Sequence, residues 1–420
     1  MPNTFARKDY VIREEPFGYI FFDKPRLKHK FVLKADLPNF LNSSRLELED
    51  CEYLKAERED FRADIIYSPT RIYYELTLAC NLQCKSCFNR SGKPRPNELS
   101  TDEIKKSLVD LRKANVLDLR FTGGELTRRS DLFEILKSAK ELGFAVSCNT
   151  NAAYFNDEIN KKFAELDIEQ VTVSIDGRKE HHEANRGCNT FDRTLSNLKR
   201  MHELGVKMRI NTLINKYSLN DLEYMLDLAS KYVTEINFFI TRFIGRGSEF
   251  KKEDGLVTFD EFYEMSKQAD KLRPKYPNLN ILHFEQSTID NSSRCGIYDE
   301  FGLKVGPPDG YTRFNIMSDG SLWAGGYIPY VDSSYELGNI KTDNIYDIWQ
   351  KSKKLESFRE ESRKLELFCR RCDKYSKTCP GPNFELELLR KKDSSITNPY
   401  CYYGSGPSLL QIIEDKENAR

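Results

Sequence analysis

The 420-residue sequence has no surplus of charge of either sign, with 65 Lys and Arg against 65 Asp and Glu. The basic bias of a nucleic-acid-binding surface is therefore missing, and no nucleic-acid partner is expected. No apolar run approaches the ~20 residues of a membrane span, so no membrane partner is expected either. The opening MPNTFARKDYVIREEPFG lacks the charged-then-apolar layout of a signal peptide, and the expected location is cytoplasmic. Histidine is scarce at five residues, none at metal-ligand spacing, the His181–His182 pair included. Cysteine is plentiful instead, with eleven residues. In a cytosolic chain these read as metal ligands and free thiols rather than disulfides. The length allows two or three domains and a large core.

The sequence is organised around RIYYELTLACNLQCKSCFNR, Arg71 to Arg90. Its first half is a β-branched and aromatic run that reads as a buried strand. Its second half places Cys80, Cys84 and Cys87 in a polar loop tight enough to turn three thiolates toward one point. A structural zinc site wants four ligands in a closed tetrahedron. Three cysteines suit an iron–sulfur cluster with one iron left open to a substrate or cofactor. Three buried or zinc-binding cysteines are the plainer alternative.

From Arg71 the chain alternates strand and helix patterns. Strands are expected at Ile72–Leu78, Leu117–Phe121, Ala145–Thr150, Val171–Ile175, Met208–Ile214 and Ile236–Ile240. Amphipathic helices are expected at Thr101–Ala114, Asp131–Leu142, Asp157–Leu166, Phe191–Leu204 and Leu219–Tyr232, with Gly143 and Gly205 as C-terminal caps. Six βα repeats predict an α/β fold with a parallel sheet and right-handed crossovers, binding ligands at the C-terminal ends of its strands. Before it, residues 1–68 form a separate segment. Short strands are expected at Tyr10–Ile12 and Tyr19–Phe22 around Gly18, then at Phe31–Leu33, followed by an acidic helix near Leu46–Glu59.

CxxxCxxC directly after a strand resembles the signature of the radical S-adenosylmethionine (SAM) superfamily. The resemblance implies a partial (βα)6 TIM-like barrel over residues 69–285 and a [4Fe-4S] cluster on Cys80, Cys84 and Cys87. It also implies SAM on the open iron, release of a 5′-deoxyadenosyl radical, and an electron donor such as flavodoxin or ferredoxin. Thr122-Gly123-Gly124-Glu125, after the second strand, resembles the family's GGE motif, in which the carboxylate holds the SAM amino group. The two glycines are expected to let backbone approach the ligand. Leu126 stands where the family has proline, and Gly-Gly-Glu alone is equally a surface turn. The VSIDG segment, Val173 to Gly177, resembles the one that reaches the SAM ribose and carboxylate. Ser174 and Asp176 lie on one side of that strand, although an Asp-Gly turn explains Asp176 as well. HHEANRGCNTFD resembles the HxxxRGxxGxF region, which makes Arg186 a candidate for the SAM carboxylate and a surface salt bridge its alternative. Phe88 is expected against adenine, and Asn149 and Asn151 at the same mouth, near SAM or substrate. Cys148 and Cys188 read as free cysteines.

Beyond Phe284 the βα rhythm stops, and Cys295, Cys369, Cys372, Cys379 and Cys401 follow. Four thiolates at this spacing suit a zinc knot. In this context residues 286–420 resemble the SPASM and twitch domains of radical SAM maturases, which carry auxiliary iron–sulfur clusters. Gly325 and Asn383 stand where the full pattern has cysteines, and both losses fall on the first auxiliary cluster. One auxiliary [4Fe-4S] cluster on Cys369, Cys372, Cys379 and Cys401 is the expectation, with Cys295 a bystander or an occasional ligand.

The resemblance implies an enzyme that abstracts hydrogen from a ribosomally made peptide and then crosslinks, epimerises or excises. Residues 1–68 loosely resemble winged-helix elements that bind leader peptides, and a plain extension packed on the barrel is the alternative. Modification of a small molecule or tetrapyrrole is the second enzymatic reading, and a non-enzymatic cluster scaffold or electron carrier the third. A sulfatase-maturing activity is disfavoured because Gly326 occupies the place of the expected aspartate base.

Overall fold

The computed structural model describes residues 8–249, 256–283, 301–304, 307–373, 375, 382–396, 401 and 406–418. The chain opens on a four-stranded sheet, β1 (Tyr10–Glu15), β2 (Gly18–Asp23), β3 (Lys28–Leu33) and β4 (Cys51–Leu54), in the order β3-β2-β1-β4. Gly18 turns the β1–β2 hairpin with φ near +148°, in the region that favours glycine. The acidic helix expected near Leu46–Glu59 is not formed. The helix lies earlier, α1 (Leu37–Ser44), with Pro38 in its first turn, and Arg45 ends it in a left-handed conformation. Cys51–Leu54 instead pairs in parallel with β1, burying Cys51 and Leu54. Two buried side chains, one on each face of the sheet, outweigh the helical preference of the glutamates around them.

The second sheet has ten strands. Seven parallel strands follow in chain order: β5 (Arg71–Thr77), β6 (Asp118–Gly123), β7 (Ala145–Thr150), β8 (Gln170–Ser174), β9 (Met208–Ile214), β10 (Glu235–Ile240) and β11 (Asn280–Leu282). Six are the expected barrel strands: β7 and β9 have the expected bounds, and the other four differ by one or two residues at an end. Helices α2 (Thr101–Lys113), α3 (Leu132–Glu141), α4 (Asp157–Glu165), α5 (Lys179–Arg186), α6 (Phe191–Glu203), α7 (Leu222–Tyr232) and α8 (Phe259–Leu272) cover the outer face. Helix α2 starts on a reciprocal Ser100–Glu103 capping box. Gly143 and Gly205 follow α3 and α6 with φ of +87° and +78°, as cap glycines should. Alternation along the strands sends Ile72, Tyr74, Leu119, Phe121, Val146, Val171 and Ile210 into the core beneath the helices.

The C-terminal part joins this same sheet rather than standing apart. β12 (Arg313–Ile316) pairs in parallel with β5, and β13 (Ser321–Trp323) and β14 (Gly338–Asn339) extend the sheet in antiparallel fashion. The segment before the barrel is tied in by side chains. Buried Arg13 donates to Ser68 Oγ and O and to the carbonyls of Pro69 and Asn115. Trp349 Nε1 donates to the Ile66 carbonyl at 2.9 Å.

Candidate active site at the barrel mouth

The cysteine loop leaves the end of β5 and is gripped from three sides. Cys80 N–H donates to the Gly92 carbonyl at 3.0 Å, closing the loop on itself. Asn185, on α5, accepts from Lys85 N–H with its backbone (2.9 Å) and from Ser86 N–H with its side chain (3.1 Å). Arg246 donates from Nε to the Cys84 carbonyl (2.7 Å), from Nη1 to the Ser91 carbonyl (3.1 Å) and from its backbone N–H to the Cys87 carbonyl (2.8 Å). Gly245 permits this approach, because a Cβ there would stand 2.1 Å from the Phe88 carbonyl.

The three thiols lie close enough to repel one another as thiolates. Burial pushes Cys80 up to about 11 and Cys84 upward, the latter countered by Arg186. Such thiols release their protons on binding iron rather than before it. Among the described residues no three His, Cys, Asp or Glu side chains are gathered tightly enough to hold one metal ion. Ligands on separate irons of one cluster stand further apart than ligands of one ion, so three cysteines without a fourth fit a cluster with an open iron.

The GGE segment is folded back onto that loop. Gly124 N–H donates to the Thr77 carbonyl and Glu125 N–H to the Ala79 carbonyl, both at 2.8 Å. A Cβ on Gly123 or Gly124 would stand 2.2 Å from those same two carbonyls. The glycines thus permit close approach to the chain's own backbone. Glu125 is buried, accepting from Thr150 Oγ1 (2.8 and 2.9 Å), Asn151 N–H (2.8 Å) and Thr127 Oγ1 (3.1 Å). Burial pushes its carboxyl above the usual range, so an arriving ammonium would restore a favourable charge pair.

Asp176 is likewise buried, and its oxygens are taken by the chain itself. Arg186 Nε (2.6 Å) and Nη2 (3.1 Å), Asn185 Nδ2 (2.7 Å) and Leu213 N–H (3.1 Å) all donate to it. Burial opposes its ionisation, yet Arg186 prevails and holds it below the ordinary carboxylate range. Asp176 therefore positions Arg186 and Asn185. Nε and Nη2 of Arg186 make that pair, and the guanidinium is near enough to Cys84 to favour its thiolate. Ser174 is half-buried, and its hydroxyl has no hydrogen bond among the described residues. Asn149 Oδ1 is buried without a partner, as a polar atom awaiting a ligand would be. Asn151 gives Nδ2 to Asn81 Oδ1 at 2.9 Å and so braces the cysteine loop. Phe88 packs edge-on against Tyr327 and Tyr330, with ring centroids 4.9 and 5.8 Å apart, and so faces the C-terminal segment.

Sequence reasoning missed Asn185, Arg246 and Thr150. Their partners are backbone carbonyls, amides and a carboxylate distant in sequence, which no local spacing signals. Arg246→Met removes two charge-assisted bonds, worth about 1.5–3 kcal/mol each. The variant is expected to lose cluster iron to a chelator several-fold faster than the wild type, followed by visible absorbance.

In the C-terminal part, Cys369 ends the helix Lys353–Cys369, and its carbonyl accepts from Cys372 N–H at 2.9 Å. Cys401 is half-buried. Cys295 and Cys379 lie outside the described residues. A Cβ at Gly325 would meet Ile328 Cδ1 at 3.1 Å and Asp309 Oδ2 at 3.2 Å, so a larger residue there requires those side chains to give by a few tenths of an ångström. No helix among the described residues is long and apolar enough to cross a membrane.

Comparison with known proteins agrees with this geometry. The radical SAM superfamily profile matches residues 74–229, and the iron–sulfur cluster-binding SPASM profile matches residues 309–373. The mycofactocin maturase MftC of Mycolicibacterium smegmatis is 32% identical over 82% of this chain and 85% of its own length. The AdoMet-dependent heme synthase of Methanosarcina barkeri is 28% identical over 81% of this chain and 98% of its own. Among solved structures, Streptococcus suis SuiB bound to S-adenosylmethionine superposes with a TM-score of 0.72 at 16% identity, covering 96% of this chain and 98% of that one. A [4Fe-4S] cluster, SAM and auxiliary iron–sulfur are accordingly its cofactors. The chain belongs to the radical SAM superfamily, in the group that carries a C-terminal SPASM domain.

Proposed function

We propose that this radical SAM enzyme modifies a ribosomally synthesised peptide. When bound, the cluster and SAM supply a 5′-deoxyadenosyl radical. The chain's own residues hold and orient: Cys80, Cys84 and Cys87 as ligands, Glu125 for the SAM amino group, and Arg186, Ser174 and Asn149 for its remaining polar groups. Cys369, Cys372, Cys379 and Cys401 are proposed to hold one auxiliary cluster. Flavodoxin or ferredoxin is the proposed reductant.

The observation that carries the peptide reading is the N-terminal sheet. Its outer strand β3 has a neighbour on one side only, which is the arrangement a peptide uses when it adds as a further strand. The relative named as a mycofactocin maturase supports the same reading. The relative named as a heme synthase favours tetrapyrrole modification as the second one.

Anaerobic incubation with SAM, dithionite and a short peptide encoded beside the gene decides between them. A mass change in the peptide, matched by 5′-deoxyadenosine, is expected. No change in any such peptide, with haem formed from a porphyrin precursor, would reverse the assignment.

A further inference from the structure

The concave side of the barrel sheet carries four arginines, Arg71, Arg120, Arg209 and Arg313. Cross-strand register places Tyr73 beside Arg120 and Arg120 beside Ser147. It also places Arg209 between Thr172 and Glu235, and Arg71 between Arg313 and Asp118. These positions alternate with the core residues that face the helices, so they share the inner face. Three of the four arginines have a carboxylate: Arg71 has Asp118, Arg209 has Glu235 at 3.1 Å, and Arg313 has Asp309. Glu75, the further acid on β5, is engaged by Arg95 at 2.9 Å.

Arg120 has no carboxylate among the described residues. It is 7% exposed and donates only to Ser147 Oγ at 3.2 Å and Tyr73 OH at 3.4 Å. Burial pushes the guanidinium down to about 10, and the charges of Tyr73 and Asp118, neither in ion-pair contact with it, offset that only in part. Nearby, Arg209 Nε and Thr172 Oγ1 are buried without partners. The arginines make the region receptive to negative charge. Burial pushes the Tyr73 phenol up, yet Arg120, Arg313, Arg71 and Arg209 together bring it down to about 7.

We propose that Arg120, with Arg209 and Tyr73 beside it, forms an anion subsite in the barrel lumen that takes a carboxylate of the substrate. The proposal deepens the peptide-modifying reading and rests on it. Arg120 precedes Gly123 by three residues on β6, so the anchor lies about 10 Å down the strand from the position assigned to SAM. A carboxylate held there leaves the adjoining carbons at the mouth, where a radical would be released. The planar guanidinium fork matches the two oxygens of a carboxylate and rejects the isosteric amide.

The test uses the full chain, reconstituted with iron and sulfide and saturated with SAM so that the cofactor's own carboxylate site is filled. Three probes are titrated by NMR: N-acetyl-glutamate α-amide, N-acetyl-alanyl-alanine with a free terminus, and neutral N-acetyl-glutamine α-amide. At least one acidic probe is expected to saturate and the neutral one not, and the acid that binds tells a side-chain from a terminal carboxylate. Arg120→Met is expected to weaken binding at least tenfold, Arg120→Lys by less, while Tyr73→Phe keeps it and so excludes a phenolate as the resident anion. Arg209→Met supplies the same reading should Arg120→Met fail to fold. The exposed Arg200→Met controls for surface charge. Equal binding of the neutral probe, no binding of either acid, or wild-type affinity in Arg120→Met would overturn the subsite. Such a failure in a chain that still cleaves SAM strikes the subsite alone, whereas lost SAM cleavage strikes the radical reading.

Discussion

Alanine at any one of Cys80, Cys84 and Cys87 is expected to reduce 5′-deoxyadenosine formation to background after anaerobic dithionite reduction. Three thiols and no fourth ligand make the site intolerant of a single loss. With two thiolates remaining, a cluster has two irons without protein ligands, and among the described residues no further cysteine stands at this loop to substitute. Asn89 is the nearest polar group, its Oδ1 2.9 Å from Cys87 Sγ, and an amide oxygen is a poor replacement for a thiolate on iron. Glu125→Ala supplies the contrast. It touches no thiol, so cluster iron should stay at the wild-type level. Losing its charge-assisted bond to the SAM ammonium costs about 2 kcal/mol, a ~30-fold rise in the Kd for SAM. Normal deoxyadenosine yield from a chain lacking all three cysteines would end the radical assignment. Equal iron loss from Glu125→Ala would show that the carboxylate serves the cysteine loop rather than SAM.

The contrast between cysteine and glutamate marks where sequence is informative. Cysteine spacing is local, and a loop of eight residues carries its own geometry, so the candidate cluster loop can be read from sequence alone. The barrel strands were legible for a similar reason: a strand buried beneath helices must be apolar on one face along its whole length. Roles that depend on distant partners were not. Asp176 sits at a strand end among ligand-binding candidates, yet Arg186, Asn185 and the Leu213 amide consume its oxygens. Gly123 and Gly124 read as a ligand cradle, and what they accommodate is the carbonyls of Thr77 and Ala79. Residues 181–192 resemble a binding motif, and their first half lies in α5, whose turns bring Asn185 and Arg186 to the cysteine loop. Arg246 belongs to a short turn after β10 with no distinctive pattern, and only the folded chain shows it on the Cys84 carbonyl. The acidic stretch 46–59 misled in the opposite sense, because two buried side chains on β4 decide its conformation against many exposed ones.

Replacing Cys369, Cys372 and Cys401 together by alanine is expected to separate SAM cleavage from product formation. These cysteines stand on the C-terminal helix and the segments after it, whereas the barrel thiols lie on the loop after β5, so the two sets should be loaded independently. Abstraction of a hydrogen atom leaves a substrate radical. If a new bond then forms with loss of a proton, one electron remains in excess and needs an acceptor. A cluster with four protein thiolates has no open iron with which to grip substrate, which leaves electron transfer or support as its service. The triple variant should therefore keep deoxyadenosine formation while product falls to background, and iron should drop from about eight to about four per chain. The connection between the two regions is direct, since Phe88 follows Cys87 and packs on Tyr327 and Tyr330. A variant that folds, cleaves SAM and still makes product would deny the auxiliary cluster any electron-transfer role. Zinc in place of the second cluster in anaerobically purified protein would do the same, and about twelve irons per chain would show that Cys295 has ligand partners of its own.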